Sequence, residues 1–393
     1  MIPLIKSTFY REKETKKKLL LFISNADKLS IGEECYKFEK SFAVYQKRKY
    51  AVLVNSGSSA NLAIIQALLN MGRLKPGDNV GFSALTWSTN VMPLIQLGLV
   101  PVPIDIELDT LNISSRTVSA VLKKNKLKMV FITNLLGFCD DIDEVARLCK
   151  KNRIILIEDN CESLGTVYKK KLLGNYGLAS TFSFYVGHHL STIEGGAVCT
   201  DDSKLYTMLQ MVRAHGWDRN LTARRQIHIR KKYNVNSTFY SRYTFYDLGY
   251  NLRTTEINGY VGNLQLPYLP EIVKKRNENF LTMAVPIYQR DDLYYPIRYD
   301  HIDFLSNFAV PVICRSEEIR KKMVKKCENN VEIRPVVGGD MTKQPFFHKY
   351  VDTRGMDNSN AALVHRQGLY FGNNPELTKK EMKEIVSIFT GKN

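Results

Sequence analysis

Between residues 50 and 200 the chain alternates short apolar, β-branched runs with stretches of helical period, and this alternation most limits what it can fold into. AVLVN (51–55), PVPIDI (101–106), MVFIT (129–133) and RIILIED (153–159) are strand candidates, joined by TFSFY (181–185) and GGAVCT (195–200). A helix starts near Ser58, and the amphipathic stretch 143–151 separates the third run from the fourth. Strands alternating with helices predict an α/β fold, with a mostly parallel sheet covered by helices on both faces. Ligands of such sheets gather at the carboxyl ends of the strands.

After about residue 268 the texture changes. A long helix (271–284) leads into a block read as strand 307–313, helix 316–328, strand 331–336 and terminal helix 378–389. The organisation expected is a large domain over 1–267, with an N-terminal helical segment, and a smaller C-terminal α/β domain over 268–393. The stretch 217–246 is polar, basic and tyrosine-rich without a clean period. It reads as a long ordered excursion touching a partner subunit, or as a mobile active-site loop.

A formal charge of +17 raises the question of nucleic acid. The basic runs (16–18, 123–128, 321–326) are dispersed and are not interleaved with aromatics in one tract. No helix-turn-helix, RNP-like or zinc-finger pattern accompanies them, so no nucleic-acid partner is expected. The seven cysteines are scattered with no CxxC or CxC pair, and no metal site is expected. No apolar run is long enough to span a bilayer, and the charged first 18 residues lack a secretory apolar segment. A cytoplasmic protein without a membrane partner is the expectation.

Three segments carry chemistry. NSGSSAN (55–61) lies between a strand and a helix, where Gly57, Ser58 and free backbone N–H groups suit an anion; an ordinary helix cap has the same look. IEDNCES (157–163) ends an apolar strand with Asp159, a carboxylate able to pair with a ring nitrogen or to cap a turn. FSFYVGHHLSTIEGGAV (182–198) places Ser183 five and six residues before the adjacent His188 and His189, at least one of which should face the cleft.

In this order and spacing the segments resemble the DegT/DnrJ/EryC1/StrS sugar-aminotransferase family of pyridoxal-phosphate (PLP) enzymes, of fold type I. The resemblance runs from LSIGEECYKFEKSFA (29–43) through NSGSSANLA, TWSTN, IEDNCESLG and FSFYVGHHLSTIEGG to GYNLRTTEINGYVGNLQL (249–266) and IRPVVGG (333–339). It implies that Gly57, Ser58 and Ser183 bind the cofactor phosphate, that Trp87 stacks on the pyridine ring and that Asp159 holds its nitrogen. Glu162 matches the position on the ring-hydroxyl side. Asn251 would reach the phosphate from the neighbouring subunit, making the active unit a homodimer.

One departure decides the activity expected. Family aminotransferases carry their Schiff-base lysine where His188 stands, and an imidazole has no primary amine with which to form that bond. The cofactor is then expected unattached, as PLP or its amine form PMP, with His188 as a base. The histidine pair and RAHGWDRNL (213–221) resemble the PLP-dependent nucleotide-sugar 3-dehydratases. Such an enzyme takes an amino group from L-glutamate, condenses it with the C4 ketone of a nucleotide-linked 4-keto-6-deoxy sugar, expels the C3 hydroxyl and releases ammonia. His215 is a second candidate for proton handling or sugar contact. Arg253 and Arg334 are candidates for a carboxylate or a diphosphate, which guanidinium forks suit. A true aminotransferase, a non-catalytic PLP-binding regulator and a class pairing the histidine with an iron–sulfur cluster are the rivals. The last needs closely spaced cysteines after the histidines, and none follows Cys199 before Cys314.

Overall fold

The computed structural model describes residues 1–356 and 358–391. Three helices open the site-bearing half: α1 (Glu12–Asn25), α2 (Glu33–Tyr45) and α3 (Gly57–Asn70). Among the described residues the strands are, in chain order, β1 (Tyr50–Val54), β2 (Asn79–Ser83), β3 (Val100–Ile104), β4 (Met129–Thr133), β5 (Ile155–Asp159), β6 (Val167–Tyr168), β7 (Lys171–Leu172), β8 (Ala179–Ser183), β9 (Gly196–Thr200), β10 (Tyr294–Tyr295), β11 (Ala309–Cys314), β12 (Ile333–Pro335) and β13 (Gly368–Gly372).

Seven of them form one sheet in the order β1-β9-β8-β5-β4-β2-β3, parallel except for β9, which runs against both β1 and β8. Burial on both faces explains the uninterrupted apolar runs. On β4, Phe131 packs with Ile64, Leu68 and Phe82 on the α3 side, while Val130 and Ile132 pack with Phe138, Phe280 and Met283 on the other. All six strands expected of the sequence form within two residues of their expected bounds. β2 is the addition: its NVGFS sequence is short and broken by Gly81, where a Cβ would lie 2.8 Å from Ile104 Cδ1.

The second sheet has four strands, β10-β11-β13-β12, all antiparallel. The helix Leu269–Tyr288 runs between the two sheets, and one apolar cluster joins Val130, Ile132, Phe280, Val310, Val312 and Phe371 across them. The expected helix 316–328 is found as Glu317–Cys327 and the terminal helix as Lys379–Thr390. The central strand β13, GLYFG, has no counterpart in the sequence reading, being short and bounded by glycines.

Within 217–246 the chain forms the helix Ala223–Lys232, none of whose residues is buried. A helix without a buried face has no apolar period to read, which is why the sequence shows none there. The chain start pairs with the small sheet: Ile2 N–H donates to the Asn330 carbonyl at 2.6 Å, and Glu332 N–H to the Ile2 carbonyl at 2.9 Å. No helix among the described residues is long and apolar enough to cross a membrane.

Candidate active site

A cavity of about 420 Å³ opens at the carboxyl ends of β4, β5 and β8, beside the N-terminus of α3, with β12 and β13 of the small sheet on its other side. Gly57, Ser58, Trp87, Asp159, Glu162, Ser183, His188 and Arg334, all singled out by sequence, line it. They come from five separate stretches of chain, four brought together at one end of the large sheet and the fifth, with Arg334, supplied by the small sheet.

Gly57 begins α3, with Ser56 as its cap: the Ser56 hydroxyl accepts from Ser59 N–H at 3.1 Å. A Cβ at position 57 would lie 2.6 Å from Ser183 Cβ and 2.9 Å from Cys161 Sγ. Only glycine lets the α3 start, the β5 end and the β8 end close to this separation. The result is a polar concavity of backbone N–H groups and serine hydroxyls at the positive end of a 14-residue helix.

Asp159 is the last residue of β5 and is buried. Its Oδ2 accepts from Asn61 Nδ2 at 2.9 Å and from Asn90 Nδ2 at 2.7 Å, and its Oδ1 from Cys161 N–H at 2.9 Å. Its hydrogen-bond donors are thus neutral amides, which orient the carboxylate without cancelling its charge. Glu162, also buried, accepts from Leu136 N–H at 2.8 Å. Desolvation pushes its carboxyl up to about 8, with the nearby Asp159 adding to the rise, so it is protonated at neutral pH.

His188 and His189 follow β8 on a turn closed by His188 N–H donating to the Tyr185 carbonyl at 2.9 Å. His188 lines the cavity; His189 is buried behind it and does not. The His188 ring meets Phe308 with centroids 5.2 Å apart and Tyr185 edge-on at 5.9 Å. Burial first, then the Arg276 charge, lower its pKa to about 4, and the backbone of Ser183 works in the other direction. The imidazole is therefore neutral near pH 7, with Nδ1 free of any hydrogen bond.

Trp87 is half exposed (51%) and Arg334 lies on the other wall, its side chain 57% exposed and paired with Glu332 at 2.5 Å. Two β-branched residues here hold left-handed backbone: Val337 (φ 47), which lines the cavity, and Ile193 (φ 74), which precedes the lining residue Glu194. Strain of this kind marks segments whose shape the surrounding structure dictates.

His215, Asn251 and Arg253 do not line this cavity. They gather around Trp217: the His215 ring sits 4.9 Å from it, the Arg253 guanidinium 5.6 Å over it, and Arg253 Nε donates to Asn251 Oδ1 at 2.8 Å. Several lining residues carry no sign of their role in the sequence. Asn61 and Asn90 lie within the NSGSSAN and TWSTN segments, which show their positions but not their shared target. Leu4, Ile5, Phe308 and Tyr370 come from the chain start and the small sheet, and no local pattern marks them.

The residues fit a pyridoxal phosphate. The glycine cradle and α3 start offer an anion seat, Asp159 an uncancelled carboxylate for a cationic ring nitrogen, and Glu162 a protonated carboxyl, all on one cavity.

Residues 11–390 match the profile of the DegT/DnrJ/EryC1/StrS aminotransferase family. Among curated relatives, the GDP-4-keto-6-deoxy-D-mannose 3-dehydratase of Yersinia pseudotuberculosis is 35% identical over 392 residues, covering 98% of this chain and 97% of its own. Among solved structures, the E. coli GDP-4-keto-6-deoxy-D-mannose-3-dehydratase with bound hydrated PLP superposes with a TM-score of 0.89 at 31% identity, covering 99% of each chain. A GDP-4-keto-6-deoxymannose-3-dehydratase with a trapped PLP–glutamate geminal diamine gives the same TM-score and identity over 99% of this chain and 100% of its own.

Proposed function

This chain belongs to the DegT/DnrJ/EryC1/StrS aminotransferase family, and from that premise we propose that it is a PLP-dependent lyase. Its reaction removes the C3 hydroxyl of a nucleotide-linked 4-keto-6-deoxy sugar, with L-glutamate as amino donor and ammonia released. The observation that carries the reading is His188, a neutral, half-buried imidazole on the cavity wall, where the family resemblance places a lysine. The names of the relatives support the same reaction, and they make the GDP-linked sugar the first substrate to try.

When bound, the cofactor supplies an electron sink and, in its amine form, the nitrogen that joins the sugar's C4. The chain does the rest. The α3 start with Gly57 and Ser58, together with Ser183, seats the phosphate. Asp159, aligned by Asn61 and Asn90, keeps the ring nitrogen protonated. Trp87 covers the ring, and Glu162 in its protonated form offers a hydrogen bond on the ring-oxygen side. His188 takes and returns the proton at the carbon next to the ring, a role a neutral imidazole fills near pH 7. Having no primary amine, His188 would leave the cofactor's aldehyde form unattached and would act in proton transfer alone, which suits expulsion of the C3 hydroxyl.

In this reading Asn251, and with it His215 and Arg253, serve the cavity of a second copy in a homodimer, since in their own chain they sit apart from it around Trp217. Arg334 receives the glutamate carboxylate or the diphosphate.

The test is an end-point assay with PLP, L-glutamate and GDP-4-keto-6-deoxymannose, without any reductase, scoring ammonia and product mass. Ammonia with a 3-deoxy-keto product is expected. A stable amino sugar without ammonia would make the protein an aminotransferase.

A further inference from the structure

Arg276 lies on the helix Leu269–Tyr288, 4% exposed, on the side of His188 away from the substrate cavity. Its Nη2 donates to the His188 carbonyl at 3.1 Å and its Nη1 to the Asn373 carbonyl, while Nε makes no hydrogen bond. Asn373 follows β13 and answers with its own side chain, Nδ2 donating to the Arg276 carbonyl at 2.8 Å and to Asn307 Oδ1 at 2.7 Å. Asn307 directly precedes Phe308, whose ring lies against the His188 imidazole. One guanidinium thus fastens together the histidine turn, the long helix and the end of the small sheet that presses on the imidazole.

A buried guanidinium normally sits beside a carboxylate. Among the described residues Arg276 has no ion-pair partner, and burial alone lowers its pKa, to about 9, which leaves it charged at neutral pH. An unpaired buried charge costs stability. Hydrogen bonds to carbonyls could be made at less cost by a neutral amide, so the charge itself calls for a use.

We propose that Arg276 is a positioning residue for His188, clamping the turn that carries the imidazole and setting a permanent positive charge behind the ring. The clamp aims the ring into the cavity. The charge disfavours a second positive charge on the ring, so the base rests unprotonated. This rests on the reading of His188 as the base. Across the cavity from the ring stand Asp159, Cys161 and Glu162 from the end of β5 and its following turn, Glu194 before β9, and Arg334 and Tyr370 from the small sheet; Tyr185 and His189 share its own turn. Of all these charged groups it is Arg276 that bears on the imidazole.

The test titrates the histidines by NMR in the cofactor-free protein, His188 being assigned by the signal lost in His188→Asn. Arg276→Met, Arg276→Gln and Arg276→Lys are compared with the parent, alongside glutamate-dependent ammonia release. In the Met and Gln variants the His188 midpoint is expected to rise by about one unit, and ammonia release to fall at least about tenfold. Arg276→Lys, which keeps the charge, should hold the midpoint within about a third of a unit and recover part of the activity. An unchanged His188 midpoint in both neutral variants overturns the proposal, and so does full activity in both; the Gln variant carries the test if the Met variant fails to fold. Full activity in His188→Asn would instead sink the assignment of the base, whatever the Arg276 variants do.

Discussion

The imidazole of His188 lies against the phenyl ring of Phe308, centroids 5.2 Å apart, so the candidate base is held from the side of the small sheet as well as by its own turn. Phe308 is 7% exposed and lines the same cavity. Truncation to alanine removes a wall and lets water reach the ring. Phe308→Ala is expected to cost about 3 kcal/mol of stability in urea unfolding and to raise the His188 titration midpoint, since burial is the larger cause of its depression. A midpoint that stays near 4 would show that the phenyl ring does not keep the imidazole dry.

His188→Asn keeps a polar side chain of similar reach but cannot serve as a base. Sugar turnover should fall by at least about a thousandfold, while the absorbance of bound PLP persists after gel filtration. Unimpaired ammonia release in this variant would remove His188 from the mechanism.

Gly57→Ala adds a Cβ 2.6 Å from Ser183 Cβ, a contact that neither neighbour relieves by a rotamer change. The start of α3 and the end of β8 must separate. Stability should drop by about 1–3 kcal/mol, and PLP affinity by at least about tenfold, read by equilibrium dialysis; an unchanged PLP affinity would place the phosphate elsewhere.

Asp159→Asn removes a charge and leaves one accepting oxygen where the carboxylate has two. Turned to accept from Asn61 Nδ2 and Asn90 Nδ2, the new amide points its own N–H groups at the Cys161 N–H. Turnover should fall at least about a hundredfold, and the absorption maximum of bound PLP should shift as the ring nitrogen loses its counter-charge. A variant with native spectrum and rate would detach Asp159 from the cofactor.

Glu162 offers a pH test of folding. Its carboxyl is raised to about 8 from an ordinary value near 4.5, so its folded-state preference is for the protonated form. That contribution is fully present below pH 4.5 and is lost as pH rises through about 8. His188, lowered to about 4, acts oppositely, its contribution being complete above about 6.5 and lost as pH falls through 4. The clean window for Glu162 is therefore pH 6.5 to 8.5. Over it the cofactor-free parent should lose stability faster than Glu162→Gln, and parallel urea midpoints in the two proteins would show that the carboxyl is not protonated in the fold.

Much of this was written in local sequence. The six apolar runs became strands because burial on both faces demands unbroken β-branched and aromatic stretches, and a parallel sheet then puts Gly57, Asp159, Ser183 and His188 at strand ends. What an imidazole at 188 can and cannot do is likewise legible residue by residue, since the chemistry each group can do is fixed by its atoms. Tertiary structure decided what no local period encodes. Asn61 and Asn90 aim at one oxygen of Asp159 from two different turns; Phe308 and Arg276 reach His188 from the small sheet and the long helix; the Gly57 cradle exists only where three strand-end segments meet. Desolvation, which moves His188 down and Glu162 up, is a property of everything packed around a group, and so it arises only once distant parts of the chain have closed over it.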